Sequence, residues 1–223
     1  MFAAGRSGAE IPHSGDAGYW MLDPGCWKLE GVGNMLTEKQ LERYAEALWW
    51  GLTTAKKKPF KKDDIVLIRY NGPALRLAEI LYDKILTEGL HPVQRINPSA
   101  TMEKNFYLLS AGRQLVFLPP GEKELTSRLN GSISLYAPES ITHLSDVDPK
   151  KIGKTTLAQK ALHDIRNQRE ASGAFSWTMC VFPTAELARQ ADISLDGYTR
   201  QVVRACFLNK NLDKIFVFLM SSF

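Results

Sequence analysis

The sequence predicts an α/β protein with a mostly parallel, doubly wound sheet and flanking helices. Three observations lead there. Short apolar runs alternate with amphipathic stretches along most of the chain. The first run, "IVLIRY" (65–70), is nearly all apolar, as expected of a strand covered on both faces. The segment "DDIVLIRYNGPALRLAEILYDKILTEGLHPVQRI" (63–96) then reads as one strand-turn-helix-strand unit, and such units join parallel neighbours.

The elements follow in order. "MLTEKQLERYAEALWWGL" (35–52) opens with Thr37 three residues before Gln40, a capping-box spacing. Leu41, Tyr44, Ala45, Leu48 and Leu52 recur behind it at helical intervals. After the first strand, Pro73 suits the first turn of a second helix, and Gly89 suits the position just past its end. Leu75, Ala78, Leu81, Tyr82 and Ile85 are the expected apolar stripe of that helix. "HPVQRI" (91–96) is the second strand and "ATMEKNFYLLSA" (100–111) a helix. "RQLVFLPP" (113–120), "GSISLYAPES" (131–140) and "FSWTMCVFPT" (175–184) are the third, fourth and fifth strands. Residues 149 to about 171 form one long charged helix, and "TAELARQ" (184–190) and "SLDGYTRQVVRACFLN" (194–209) two closing ones.

Residues 1–34 differ in character. They hold seven of the sixteen glycines and show no periodicity, so they read as a disordered or spurious N-terminal extension. The folded domain is expected over 35–210, with a separate tail over 211–223. In that tail "IFVFLM" (215–220) is too short to cross a bilayer. No basic start with an apolar core marks a signal peptide.

At 223 residues, 44% hydrophobic and 23% charged, the composition is that of an ordinary globular chain. The net charge of +4 is mild, and its densest run, "KKKPFKK" (56–62), reads as a solvated loop and not as a nucleic-acid surface. Neither nucleic acid nor membrane is an expected partner. Three cysteines, Cys26, Cys180 and Cys206, lie far apart with no CxxC spacing, which predicts reduced thiols and a cytoplasmic location.

Candidate chemistry is sparse. "YNGPALR" (70–76) has one glycine where a dinucleotide loop needs three, and Pro73 lacks an N–H to offer a phosphate. Arg76 stays a possible anion contact. "DPKKIGKTT" (148–156) ends like a Walker loop, but Asp148 stands where that loop needs glycine. Glu139, His143, Asp146 and Asp148 form the best local group for a metal. No HExxH or GxSxG pattern is present. The residues by themselves nominate no catalytic, cofactor-binding or metal-binding side chain.

Longer runs say more. "MLTEKQLERYAEAL", "PFKKDDIVLIRY", "ALRLAEILYDKILTEGLHPVQRINP", "MEKNFY", "LVFLPPGEKEL", "LNGSISLYAPESITHLSDVDPKKIGK" and "WTMCVFPTAELARQADISLDGYTRQVVRACFLNK" follow one another across residues 35–210. In order and spacing they resemble the N-terminal half of the thermophilic aminopeptidases, the AmpS, PepS and aminopeptidase T metallopeptidases. The resemblance implies an N-terminal α/β domain, peptide substrates and a homodimer. It also implies a C-terminal domain in which glutamates, histidines and an aspartate hold two divalent metals, zinc, cobalt or similar. No ligand of that set maps onto this chain. The expectation is therefore an aminopeptidase domain without the catalytic half, inactive alone and binding no metal itself. Two alternatives stay open: a stand-alone peptide-binding module, pairing with a complete subunit, and an anion- or nucleotide-binding module using Arg76 or "GKTT".

Overall fold

The computed structural model describes residues 36–210. The expectations for residues 1–34 and for the tail with "IFVFLM" lie outside the described residues. Four strands, β1 (Ile65–Tyr70), β2 (His91–Ile96), β3 (Leu129–Tyr136) and β4 (Ser176–Val181), form one sheet in the order β2-β1-β3-β4. Every pairing is parallel. The chain steps outward from β1 to β2, returns across β1 to β3, and continues to β4. The winding therefore reverses between β1 and β3.

One face of the sheet holds the main core. Helix α1 (Glu38–Thr54) starts where its sequence says it should: Thr37 Oγ1 accepts from the Gln40 N–H at 3.3 Å, and Gln40 Oε1 accepts from the Thr37 N–H at 2.9 Å. All five residues of its expected stripe are buried. Helix α2 (Leu75–Thr87) departs from expectation. A 3-10 turn over Gly72–Ala74 precedes it, and the face it buries is Ala74, Leu77, Ala78, Leu81 and Ile85. Leu75 and Tyr82 point outward. Starting the helix two residues after Pro73 shifts its phase, and the observed set keeps the 3-4 spacing better. Gly89 closes the helix at φ +75°, a backbone conformation that a side chain strains. Val66, Ile68 and Tyr70 of β1 and Ile133 and Leu135 of β3 meet these helices. Each large side chain so buried contributes about 1.5–3 kcal/mol of transfer free energy.

The opposite face has a smaller apolar cluster of Leu67, Leu129 and Phe175, with Ile65, Val93 and Leu125 against it. Three corrections belong to this side. "RQLVFLPP" is not a strand. It forms the short helix α4 (Gly112–Leu115), following α3 (Ala100–Leu109), and then a loop. Pro119 and Pro120 offer no N–H to a ladder, only Leu115 of the run is buried, and Phe117 is exposed. Helix α5 (Glu122–Arg128) was not anticipated, although Glu122 and Glu124 in its first turn and Arg128 in its last suit the helix dipole. The long charged helix is two, α6 (Pro149–Ala158) and α7 (Lys160–Ala171), broken at Gln159. They serve different surfaces: α6 packs against α4, and α7 against α5. Two short helices, α8 (Ala185–Gln190) and α9 (Leu195–Ala205), close the described chain.

Arg95 of β2 clamps Glu122 of α5 with two hydrogen bonds, 2.8 and 2.9 Å. The Arg95 guanidinium holds the Glu122 carboxyl below its ordinary value of 4.5. A depressed carboxylate adds stability above that value and loses it as pH falls through the lower, folded-state value. Glu122→Gln is expected to weaken the fold by about 1 kcal/mol at neutral pH. Urea midpoints of the two chains should converge well below pH 4.5. A gap unchanged in acid would assign the effect to packing and not to charge.

Candidate functional site

Where a doubly wound sheet reverses, the loops leaving the two strands part and open a crevice at their carboxyl ends. Here that point lies between β1 and β3. A cavity of about 560 Å³ opens there, lined by Asn71 and Gly72 after β1, Ile96 to Met102 after β2, and Tyr136 to Leu144 after β3.

Asn71 holds the crevice open at its base. Its side-chain oxygen accepts from the Ala137 N–H at 3.2 Å and from the Asn97 side-chain amide at 3.4 Å, tying the ends of three strands together. The loop after β3 is pinned from several sides. His143 Nε2 meets Glu103 Oε2 of α3 at 2.9 Å, and His143 Nδ1 meets the Ser140 carbonyl at 3.1 Å. Asp146 pairs with Lys104 of α3 at 2.8 Å, and that ammonium lowers the Asp146 carboxyl below its ordinary value. Glu186 of α8 accepts from the Ile141 N–H at 3.2 Å. Hydrogen bonds from Arg189 first, then from Gln190, bring the Glu186 carboxyl down to about 2. The crevice walls are thus set before anything enters. Its rim is apolar and open: Ile96, Met102, Tyr136 and Ile141 are all exposed.

The group Glu139, His143, Asp146 and Asp148 does not converge. His143 turns to Glu103, Asp146 to Lys104, and Asp148 caps α6 by accepting from the Lys150 N–H at 2.9 Å. Glu139 and His143 line the cavity, and Asp146 and Asp148 do not. Among the described residues no group of three or more His, Cys, Asp and Glu could hold a metal ion. "GKTT" lies inside α6 and forms no phosphate loop. Gly72 faces open space: a side chain there would meet nothing within 4 Å in the protein. Arg76 pairs with Glu38 and with Glu79. Cys180 is buried, and burial pushes its thiol up to about 12, far from a nucleophile's range. Cys206 is also a free thiol. No described helix is long and apolar enough to cross a membrane.

Both nitrogens of His143 are taken by structural partners, so the crevice is a preformed hollow with an apolar rim. Sequence reading missed it because Glu103 and His143 stand 40 residues apart and meet only through the fold. The one signal available was Asn71 at the end of an apolar strand.

The model of the family described as thermophilic metalloprotease (M29) matches residues 37–215. The chain belongs to that family. Among solved structures, this M29 chain is similar to wild-type AmpT from Thermus thermophilus, with 16% sequence identity and a TM-score of 0.56. That alignment covers 76% of this chain and 42% of the AmpT chain, so the M29 chain spans under half the length of that relative. At this identity the likeness establishes the shared fold. Comparison with curated proteins gives no match. Metal dependence is a property of the family.

Proposed function

We propose that this chain supplies the N-terminal α/β domain of a metal-dependent aminopeptidase and does not hydrolyse peptides by itself. The family match across residues 37–215 carries the reading. In it, the crevice between β1 and β3 contacts the peptide, with the apolar rim of Ile96, Met102, Tyr136 and Ile141 taking side chains and Asn71 taking backbone polar groups. A pair of divalent ions and the hydrolytic step belong to a C-terminal domain. The domain limits of 35–210, a cytoplasmic location and a homodimeric assembly belong to the same reading. It draws support from the free thiols of Cys180 and Cys206 and from the exposed apolar residues Trp177, Met179 and Val181 on the sheet's outer strand.

The full chain is expected to release no p-nitroaniline from Leu-p-nitroanilide with added cobalt or zinc. Turnover that co-elutes with the chain and stops on adding chelator would overturn the proposal.

A further inference from the structure

The second face of the sheet contains a larger cavity, about 790 Å³, which the peptidase reading leaves unused. Its floor is set by strand register. Arg69 of β1 and Arg95 of β2 are direct partners in a parallel pair, so both side chains stand on the same face. Helix α7 brings His163 and Arg166 to the wall, and α5 brings Glu122. The remaining wall is apolar: Leu67, Leu125, Leu129, Leu162 and the loop from Phe117 to Pro120.

The charges do not balance. Three guanidiniums line the cavity against one carboxylate, and Glu122 already spends both oxygens on Arg95. Arg166 donates to His163 Nδ1 at 3.0 Å, a neutral acceptor standing where an anion would serve better. The Arg69 side chain is half-buried, and the one carboxylate whose charge reaches it among the described residues, Glu122, is already held by Arg95. Burial, then the positive charges of Arg166 and Arg95, push the Arg69 guanidinium below its ordinary value. Burial, then Arg166 and Arg69, do the same to the His163 imidazole, which keeps it an acceptor. A half-buried cluster of like charge opposes folding unless a counter-charge joins it.

We propose that this cavity binds an anionic small molecule, a carboxylate or phosphate head on an apolar body, with Arg69 and Arg166 holding the head. Guanidinium forks match the oxygens of either head in paired hydrogen bonds. The leucines and Phe117 take the body, and the volume falls in the usual range of small-ligand sites. The proposal stands on this cavity alone, whatever becomes of the peptidase reading.

Calorimetric titration of the full chain tests it, using inorganic phosphate, N-acetyl-leucine and, as the uncharged control, N-acetyl-leucine amide. One or both anions should bind and the amide should not; which anion binds identifies the head. Arg69→Gln and Arg166→Gln should each weaken binding about tenfold, the value of one charge-assisted contact. Arg200→Gln, which removes a positive charge on exposed α9, should leave it unchanged. Without ligand, the Arg69→Gln chain should melt no lower than its parent, since the cluster loses one of its like charges. Failure of both anions to bind, equal affinity in all variants, binding of the amide, or a lower melting point of Arg69→Gln would each overturn the site.

Discussion

Replacing Lys56 with alanine is expected to lower the free energy of unfolding by about 3 kcal/mol and the melting temperature by roughly 10 °C. Lys56 follows α1 directly and retains only 8% of its exposure. Its Nζ donates to the Ala174 carbonyl at 2.8 Å and to the Asn130 carbonyl at 3.2 Å. The ammonium also sits 4.7 Å from the centre of the Phe60 ring. One side chain therefore joins the end of α1 to the starts of β3 and β4. Removing it leaves two carbonyls short of a donor and opens space beneath the ring. Burial lowers the Lys56 ammonium below its ordinary value, as taking a charge out of water should. Lys58→Ala, two residues on and exposed, should change stability by less than about 0.5 kcal/mol. Denaturant unfolding of both variants decides the matter. A loss below about 1 kcal/mol for Lys56→Ala would mean that water replaces the ammonium.

Ile133→Ala should be at least as damaging, at about 3–4 kcal/mol. Ile133 lies at the middle of β3 with no exposed surface, paired to Ile68 on one side and Thr178 on the other. Both neighbours are fixed by ladders, so the sheet cannot close over the gap, and the cavity term adds to the lost transfer energy. Trp177→Ala on the outer strand removes a larger side chain that is 50% exposed, and should cost under about 1.5 kcal/mol. Equal denaturant slopes with a shifted midpoint would confirm a native-state effect for Ile133. A larger loss at Trp177 than at Ile133 would show the core misplaced.

The same residues show what was legible in the sequence. The α1 stripe, β1, β2 and the turn at Gly89 were read correctly because one local pattern settles each of them. "RQLVFLPP" was misread because its apolar run looks like a strand until the prolines and the lack of a sheet partner are weighed together. The break at Gln159 has no local signal; it arises because α6 and α7 serve different clusters. Lys56 was read with its neighbours as solvated, and nothing in "KKKPFKK" marks which lysine turns inward. The crevice was illegible for a related reason. Glu103 with His143, and Asn71 with Ala137, are pairs that only the strand order brings together. Arg69 drew no notice in its apolar run, because only the strand register sets it beside Arg95.

The winding reversal has one further consequence, for how such a molecule can change over evolutionary time. β1 meets β2 across 26 positions, from Ile65 to His91, and meets β3 across 64, from Ile65 to Leu129. Loop closure depends on length only logarithmically, so the longer connection costs about 0.8 kcal/mol more than the shorter one. Doubling it again would add about 0.6 kcal/mol. Residues 97–128 make up most of that longer path, and they supply walls to both cavities: Ser99 and Glu103 to one, Phe117 and Leu125 to the other. Insertions in the loops of this stretch, between its helices, can recut both hollows at small loop-closure cost while the strand ladders keep their register. The scaffold and the shape of what it holds are therefore separately heritable.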